Sequence, residues 1–524
     1  MLFIVEPTIL YAGNINDFWF DYYTIIPKLI LFFIISSLII FVFLSVFLIF
    51  SKKLRKTSLI EIPIIIIFTV FLITYIHGNF FSNNLPSFNG EPIVWASYMP
   101  EHIISIIICT IVLVTVIISS IKLKTAKLAK ISSFITLTIF AMLFVSLLNT
   151  FITTDTLKEK EIMTYATSDQ LNTYSNNRNF LILLVDAVDS ELFYKNVHDL
   201  DLYEETFQDF TYFPDTVGAY NLTRDSIPFI FSGIWDHNET DFVTYSTNAY
   251  NESPLFNELK KQNYTMNFYD NDFVWRSRKA LDFNNITSHS KDIDPISLLK
   301  QLVKYDSFKY LPYPLKKFSH SESIDFASTQ SLNEAASFNW EDLAYYNFIK
   351  ENEASLTNQS LFQFLHLEGA HVPFNLDENL NSINIENGTY AKKCIATLKV
   401  INAYLENLKN IKVYDKSTII IMSDHGANNV ANPNPILFIK GINEHHDFVS
   451  SEKPIWYPDL IDAYDQLLSD KPASEAFINV PNEHRDRYII QIPFQHEEHM
   501  TEWVQTGKAW DASTLTKTGK EYNL

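Results

Sequence analysis

The sequence predicts an N-terminal bundle of about four transmembrane helices followed by an α/β domain with a mostly parallel central sheet. Three observations carry that expectation. Four apolar runs lie in the first 151 of 524 residues, at roughly 24–50, 60–78, 103–121 and 131–151. Each is near the ~20 residues that an α-helix needs to cross a bilayer. The connectors between the runs alternate between basic and non-basic. Beyond residue 151 the chain changes to short, continuously apolar runs separated by helix-period segments, the pattern of strands buried on both faces of a parallel sheet.

The connectors set the expected orientation. "SKKLRKTS" and "KLKTAKLAK" are rich in Lys and Arg, whereas residues 79–102 carry Glu91 and Glu101 and no Lys or Arg. Positive charge marks cytoplasmic loops, so the middle loop, the N-terminus and everything after residue 151 are expected outside. The division expected is a transmembrane domain at 1–151, a juxtamembrane linker at 152–178 that begins as a helix, and an extracytoplasmic domain at 179–524. The opening "MLFIVEPTILYAG" is too short and interrupted to span, and it lacks the basic start of a cleaved signal peptide. An interfacial segment and the remnant of a span both remain open for it.

Charge and cysteines narrow the function classes. The net charge is −20, and residues 152–524 hold 31 Lys and Arg against 54 Asp and Glu. No nucleic-acid partner is expected, because a phosphate backbone requires a basic footprint. Cys109 lies in a span and Cys394 in the outer domain, so no disulfide framework is expected.

In the outer domain, "FLILLV" (180–185) ends in Asp186, "LFQFLHL" (361–367) in Glu368-Gly369-Ala370-His371, and "STIIIM" (417–422) in Ser423-Asp424-His425-Gly426. A further strand is expected at "ILFIKG" (436–441). Open parallel sheets bind ligands beyond the carboxyl ends of their strands. One Asp there is more often a cap or turn residue; three strands delivering carboxylates and imidazoles to one edge point to a site. Two carboxylates, an imidazole and a hydroxyl suit Zn²⁺ or Mn²⁺, and such a set supports displacement at phosphorus or sulfur. The hydroxyl would come from "GAYNLTRDSIPFIFSG" (218–233), where Thr223 and Ser226 both offer one.

Taken in order, strand-Asp186, Thr223-x-x-Ser226-x-Pro228, Gly369-x-His371-x-Pro373 and Ser423-Asp424-His425-Gly426 resemble the alkaline phosphatase/sulfatase superfamily. With the N-terminal spans, the chain is most similar to its membrane-anchored branch, the lipoteichoic acid synthases and lipid A phosphoethanolamine transferases. "ILFIKG", "SSEKPIWYPDLIDAYDQLL" and "EWVQTGKAWDASTLTKTGKEY" look like a subgroup associated with bacterial surface polysaccharides. The resemblance implies an alkaline-phosphatase-like fold in a bacterial inner membrane. It also implies a Thr223 nucleophile and one divalent metal, Zn or Mn, on Asp186, Thr223, Asp424 and His425. His371 would contact substrate. Arg224 would do so too, or would pair locally with Asp225; both readings stay open. The donor implied is a membrane phospholipid, the acceptor a surface polysaccharide or lipid, and the protein a monomer. A second stable metal is not expected, because "ANNVANPNPILFIKG" lacks the further histidine of many relatives. True sulfatases place the reactive residue two before the proline, where Ser226 stands, and an Arg two after it, where this chain has Ile230. Sulfatase- or phosphatase-type hydrolysis is therefore the alternative, and a non-catalytic relative a third.

Other candidates read as structural. His366 is expected as a satisfied core histidine and His445-His446 as solvated loop, while Glu368 could face the site or not. Seven Asn-x-Ser/Thr triplets, at Asn221, Asn238, Asn251, Asn263, Asn285, Asn358 and Asn387, read as chance products of an Asn-rich composition.

Overall fold

The computed structural model describes residues 2–15, 18, 20–55, 58–81, 93–123, 125–154, 156–158, 164–237, 240–270, 283–288, 293–320, 326, 329, 337–427, 430–493 and 499–523. Parts of the connectors (56–57 and 124), part of the middle loop (82–92) and Asn238 lie outside the described residues. The chain packs as two units, Met1–Glu161 with His289–Glu334, and Ile162–Ser288 with Ala335–Leu524.

The first unit contains α1 (Tyr22–Leu54), α2 (Ser58–Phe80), α3 (Met99–Lys122) and α4 (Thr125–Thr153). All four are long and apolar enough to cross a membrane. They run past the apolar stretches because polar turns extend them: α1 closes on Lys52 and Lys53, cations that favour the negative end of a helix. Ile39, Phe41, Ile121 and Phe134 are 64%, 68%, 78% and 71% exposed. Apolar faces of that extent are unfavourable in water and suited to lipid. The opening segment forms a helix over Val5–Gly13 that buries Glu6, Thr8 and Tyr11. At ~1.5 Å per residue it is far too short to span.

Residues 289–334 belong to this first unit, which differs from a catalytic domain running unbroken over 179–524. Lys309 on the helix Pro295–Tyr310 pairs with the buried Glu6 at 2.5 Å. The Tyr313 amide donates to Ser105 Oγ on α3 at 3.1 Å. Long-range partners of this kind leave no mark in local sequence.

The second unit is built on a seven-stranded sheet. Its strands are β1 (Asn179–Val185), β2 (Thr211–Tyr212), β3 (Thr265–Tyr269), β4 (Leu361–Leu367), β5 (Ser417–Met422), β6 (Leu437–Lys440) and β7 (Val449–Ser450), in the order β7-β2-β6-β5-β1-β4-β3. Strands β5, β1, β4 and β3 run parallel, and every residue of β1, β4 and β5 is buried. β6 corrects the parallel expectation: it is antiparallel to both β5 and β2. The chain returns to it through an irregular loop with no helix among its described residues, and a parallel return normally needs a helical crossover. Helix α6 (Tyr390–Asn410) buries Cys394, Leu398, Ile401, Leu405 and Leu408, an i, i+3/i+4 stripe that covers the sheet. Among its described residues the linker is helical only as far as Thr153 and carries two short strands, Thr164–Ala166 and Thr173–Ser175.

Candidate metal centre

Strand ends build the site. Asp186 follows β1, where its amide donates to Leu367 O at 3.0 Å and its carbonyl accepts the Ala370 amide at 2.9 Å. That ties the ends of β1 and β4 together. Gly369 has φ +56°, and a Cβ there would stand 2.6 Å from the Asp186 backbone, so only glycine permits the approach. Beyond β5, Ser423 Oγ accepts the Val188 amide at 2.9 Å and donates to His425 O at 2.8 Å. Asp424 Oδ1 accepts the Ala187 amide at 3.2 Å. These bonds hold Asp424 with its other oxygen, Oδ2, facing His425.

One ligand atom from each of Asp186, Asp424 and His425 lies within 4.8 Å of the others, and all three residues are buried. His425 Nε2 is 3.3 Å from Asp424 Oδ2 and 3.7 Å from Asp186 Oδ1. Its Nδ1 sits 2.7 Å from Gly426 O, which leaves Nε2 facing the carboxylates as a ligand nitrogen. Asp186 Oδ1 and Asp424 Oδ2 accept no hydrogen bond. Two buried carboxylate oxygens without donors are costly unless a cation compensates them, and the donor set fits a divalent metal.

The electrostatics agree. Burial works against ionising Asp186, but the imidazoles of His371, His366 and His425 outweigh it and hold its carboxyl well below the usual range. Burial and the neighbouring Asp186 charge push Asp424 up. For His425, burial is outweighed by the Asp424 and Asp186 charges, which raise its pKa.

Thr223 opens helix α5 (Thr223–Ser232), and its Oγ1 donates to Asp186 Oδ2 at 3.2 Å. A helix N-terminus carries partial positive charge, so an anion is favoured there. Ser226 is fully buried one turn further, and its Oγ donates to Tyr220 O at 3.3 Å. The two hydroxyls are thereby separated: one touches the carboxylate cluster, and the other serves the backbone.

His366 is buried as expected, but its partners are carboxylates of the centre. Nε2 lies 3.4 Å from Asp186 Oδ2 and Nδ1 lies 3.0 Å from Asp270 Oδ1. Burial disfavours its charge, but the bonds to Asp186 and Asp270 hold its pKa well above the usual value. Sequence reading missed Asp270, although it follows β3 just as Asp186 follows β1. His371 is half-buried, with the Trp340 ring 5.7 Å away and tilted at 58°, and its imidazole helps hold Asp186 down. Arg224 makes a bidentate pair with Asp225 at 2.9 and 3.1 Å and lies over the Phe242 ring at 4.9 Å. Glu368 pairs with the buried Lys393 at 2.7 Å. His445 has a 60% exposed side chain, near Asp209 and Asp415.

Likeness to solved structures is remote. A structure described as Ps i-CgsB in complex with k-i-k-neocarrahexaose is 14% identical, covers 63% of this chain and 82% of its own, and has a TM-score of 0.41. The C-terminal periplasmic domain of EcEptC from Escherichia coli is 12% identical over 64% of this chain and 95% of its own, with a TM-score of 0.35. The lipoteichoic acid synthase LtaP from Listeria monocytogenes is 12% identical over 66% and 85%, with a TM-score of 0.36. No curated protein matches the sequence. The profile of the Sulfatase family matches residues 178–473, a stretch that opens one residue before β1, takes in every residue of the centre and exceeds half the chain, and the chain belongs to that family.

Proposed function

We propose that this enzyme is a metal-dependent phosphotransferase. In this reading it moves a phospho-substituent of the phosphoethanolamine or phosphoglycerol type from a membrane phospholipid to a hydroxyl of a surface polysaccharide or lipid. The supporting observation is the bond from Thr223 Oγ1 to Asp186 Oδ2, with Ser226 engaged elsewhere. In the first half-reaction, Thr223 Oγ1 attacks phosphorus and the bond to the diacylglycerol oxygen breaks. The Thr223 proton ends on the departing diacylglycerol. In the second, the acceptor hydroxyl attacks phosphorus, the P–Oγ1 bond breaks, and Thr223 regains a proton. A divalent cation, Zn²⁺ or Mn²⁺, on Asp186, Asp424, His425 and Thr223 would lower the hydroxyl pKa and offset charge on the phosphoryl oxygens. The four apolar helices favour a lipid donor, since they tether the enzyme to a membrane. Sulfate-ester hydrolysis is disfavoured by the burial of Ser226 and by Ile230 at the position of the sulfatase Arg.

The test is acid quenching of the purified protein with vesicles of phosphatidylethanolamine or phosphatidylglycerol, followed by peptide mass spectrometry. A head-group phosphate on Thr223 is expected. An unmodified Thr223 in enzyme that releases sulfate or phosphate from simple esters would overturn the transfer reading.

The proposed site is the extracytoplasmic face of a bacterial inner membrane. A reporter fused after Lys127 should be cytoplasmic, and one fused after residue 155 should be outside. An inward C-terminal fusion would reverse the placement.

A further inference from the structure

A second cleft shares no lining residue with the metal centre and is built on the C-terminal sheet of β8 (Arg487–Gln491), β9 (His499–Gln505) and β10 (Leu515–Asn523). It encloses about 270 Å³ and is walled by Trp235, His237, Trp456, Tyr488 and Tyr522, with Glu502 and Lys520 at its polar side. The five rings are half-buried, each keeping part of its surface open. Trp235 and His237 are parallel to within 1° at 6.4 Å, and His237 stacks on Tyr522 at 4.4 Å and 17°. Trp456 closes the other side, 6.0 Å from Trp235 and 5.9 Å from Tyr488. Its indole donates to Tyr488 O at 2.9 Å, which fixes the ring.

Glu502 is 7% exposed. Tyr522 OH and Thr518 Oγ1 each donate to it at 2.9 Å, and Lys520 pairs with it at 3.2 Å. Burial opposes its ionisation, but these donors outweigh it and hold its carboxyl below the usual range. An ionised carboxylate has about four acceptor sites, so capacity remains for a ligand that donates.

Flat aromatic walls take apolar C–H faces, and the carboxylate takes hydroxyl donors. Pyranose sugars present both, with ring hydroxyls around the edge of an apolar face. A proline-rich peptide would also suit the rings, but it brings carbonyl acceptors to a carboxylate that can only accept. We infer that this cleft is a binding subsite for a pyranose unit of a glycan chain. It deepens the acceptor half of the proposed transfer and rests on that reading only for naming the glycan as acceptor.

The test is titration of the full-length protein in detergent micelles with linear hexasaccharides of glucose, galactose and N-acetylglucosamine, and with a proline-rich peptide. Tryptophan fluorescence and saturation-transfer NMR give the readout. At least one sugar should bind at millimolar concentration or better. Trp456→Ala, and Tyr522→Ala near the chain end, should each weaken it about tenfold or more, with thermal unfolding of each variant confirming the fold. EDTA treatment and Thr223→Ala should leave sugar affinity intact, which separates this site from the metal centre and its failure from failure of the transfer reading. The inference is overturned if no sugar binds, if only the peptide binds, if folded Tyr522→Ala binds like wild type, or if Thr223→Ala loses the sugar.

Discussion

Thr223→Ala should abolish turnover and any covalent adduct, while Ser226→Ala should keep substantial activity. Thr223 Oγ1 is the hydroxyl that touches the carboxylate cluster, at 3.2 Å from Asp186, and alanine leaves no oxygen to attack phosphorus. Ser226 donates to Tyr220 O inside the protein. Losing such a bond costs about 1 kcal/mol, and roughly 3 if its partner is left buried and unsatisfied. At ~1.4 kcal/mol per tenfold, even the upper figure expressed wholly in rate leaves activity within about a hundredfold of wild type. Thr223→Ser keeps a hydroxyl and should retain weak activity. Steady-state rates and intact-protein mass spectra of the three variants decide the matter. Inactive Ser226→Ala alongside active Thr223→Ala would move the nucleophile to the sulfatase position and restore hydrolysis over transfer.

Asp424→Asn should bring bound metal well below one equivalent, read by elemental analysis after gel filtration. The change is nearly isosteric, and Oδ1 can still accept the Ala187 amide, so the fold should persist. What disappears is one negative charge, in a cluster that pairs Asp186 and Asp424 around His425. In metal-free protein, Asp424 is pushed up by burial and by Asp186, so neutralising it relieves repulsion. The metal-free variant should therefore unfold at or above the temperature of metal-free wild type. Added Zn²⁺ or Mn²⁺ should raise the wild-type transition, since ligand at ~100 times Kd contributes about 2.7 kcal/mol, and should move the variant much less. Metal content equal to that of wild type would remove Asp424 from the ligand set.

The sequence by itself determined what local pattern encodes. Apolar runs near twenty residues specified four membrane-length helices, and continuously apolar runs at 180–185, 361–367 and 417–422 specified the buried strands β1, β4 and β5. The rule that parallel strands present their carboxyl ends to ligands then placed Asp186, Asp424 and His425 together, although Asp186 and Asp424 stand far apart in the chain. Tertiary structure decided what depends on partners distant in the chain. It turned Thr223 toward Asp186 and Ser226 toward Tyr220 O. It set His366 between Asp186 and Asp270, 96 residues apart from the latter, where a buried histidine alone reads as core. It reversed β6, and it assigned 289–334 to the first unit through contacts such as Lys309 with Glu6. Periodicity reports which face of an element is buried; which residue waits on the other side is set by packing and by the satisfaction of buried polar groups.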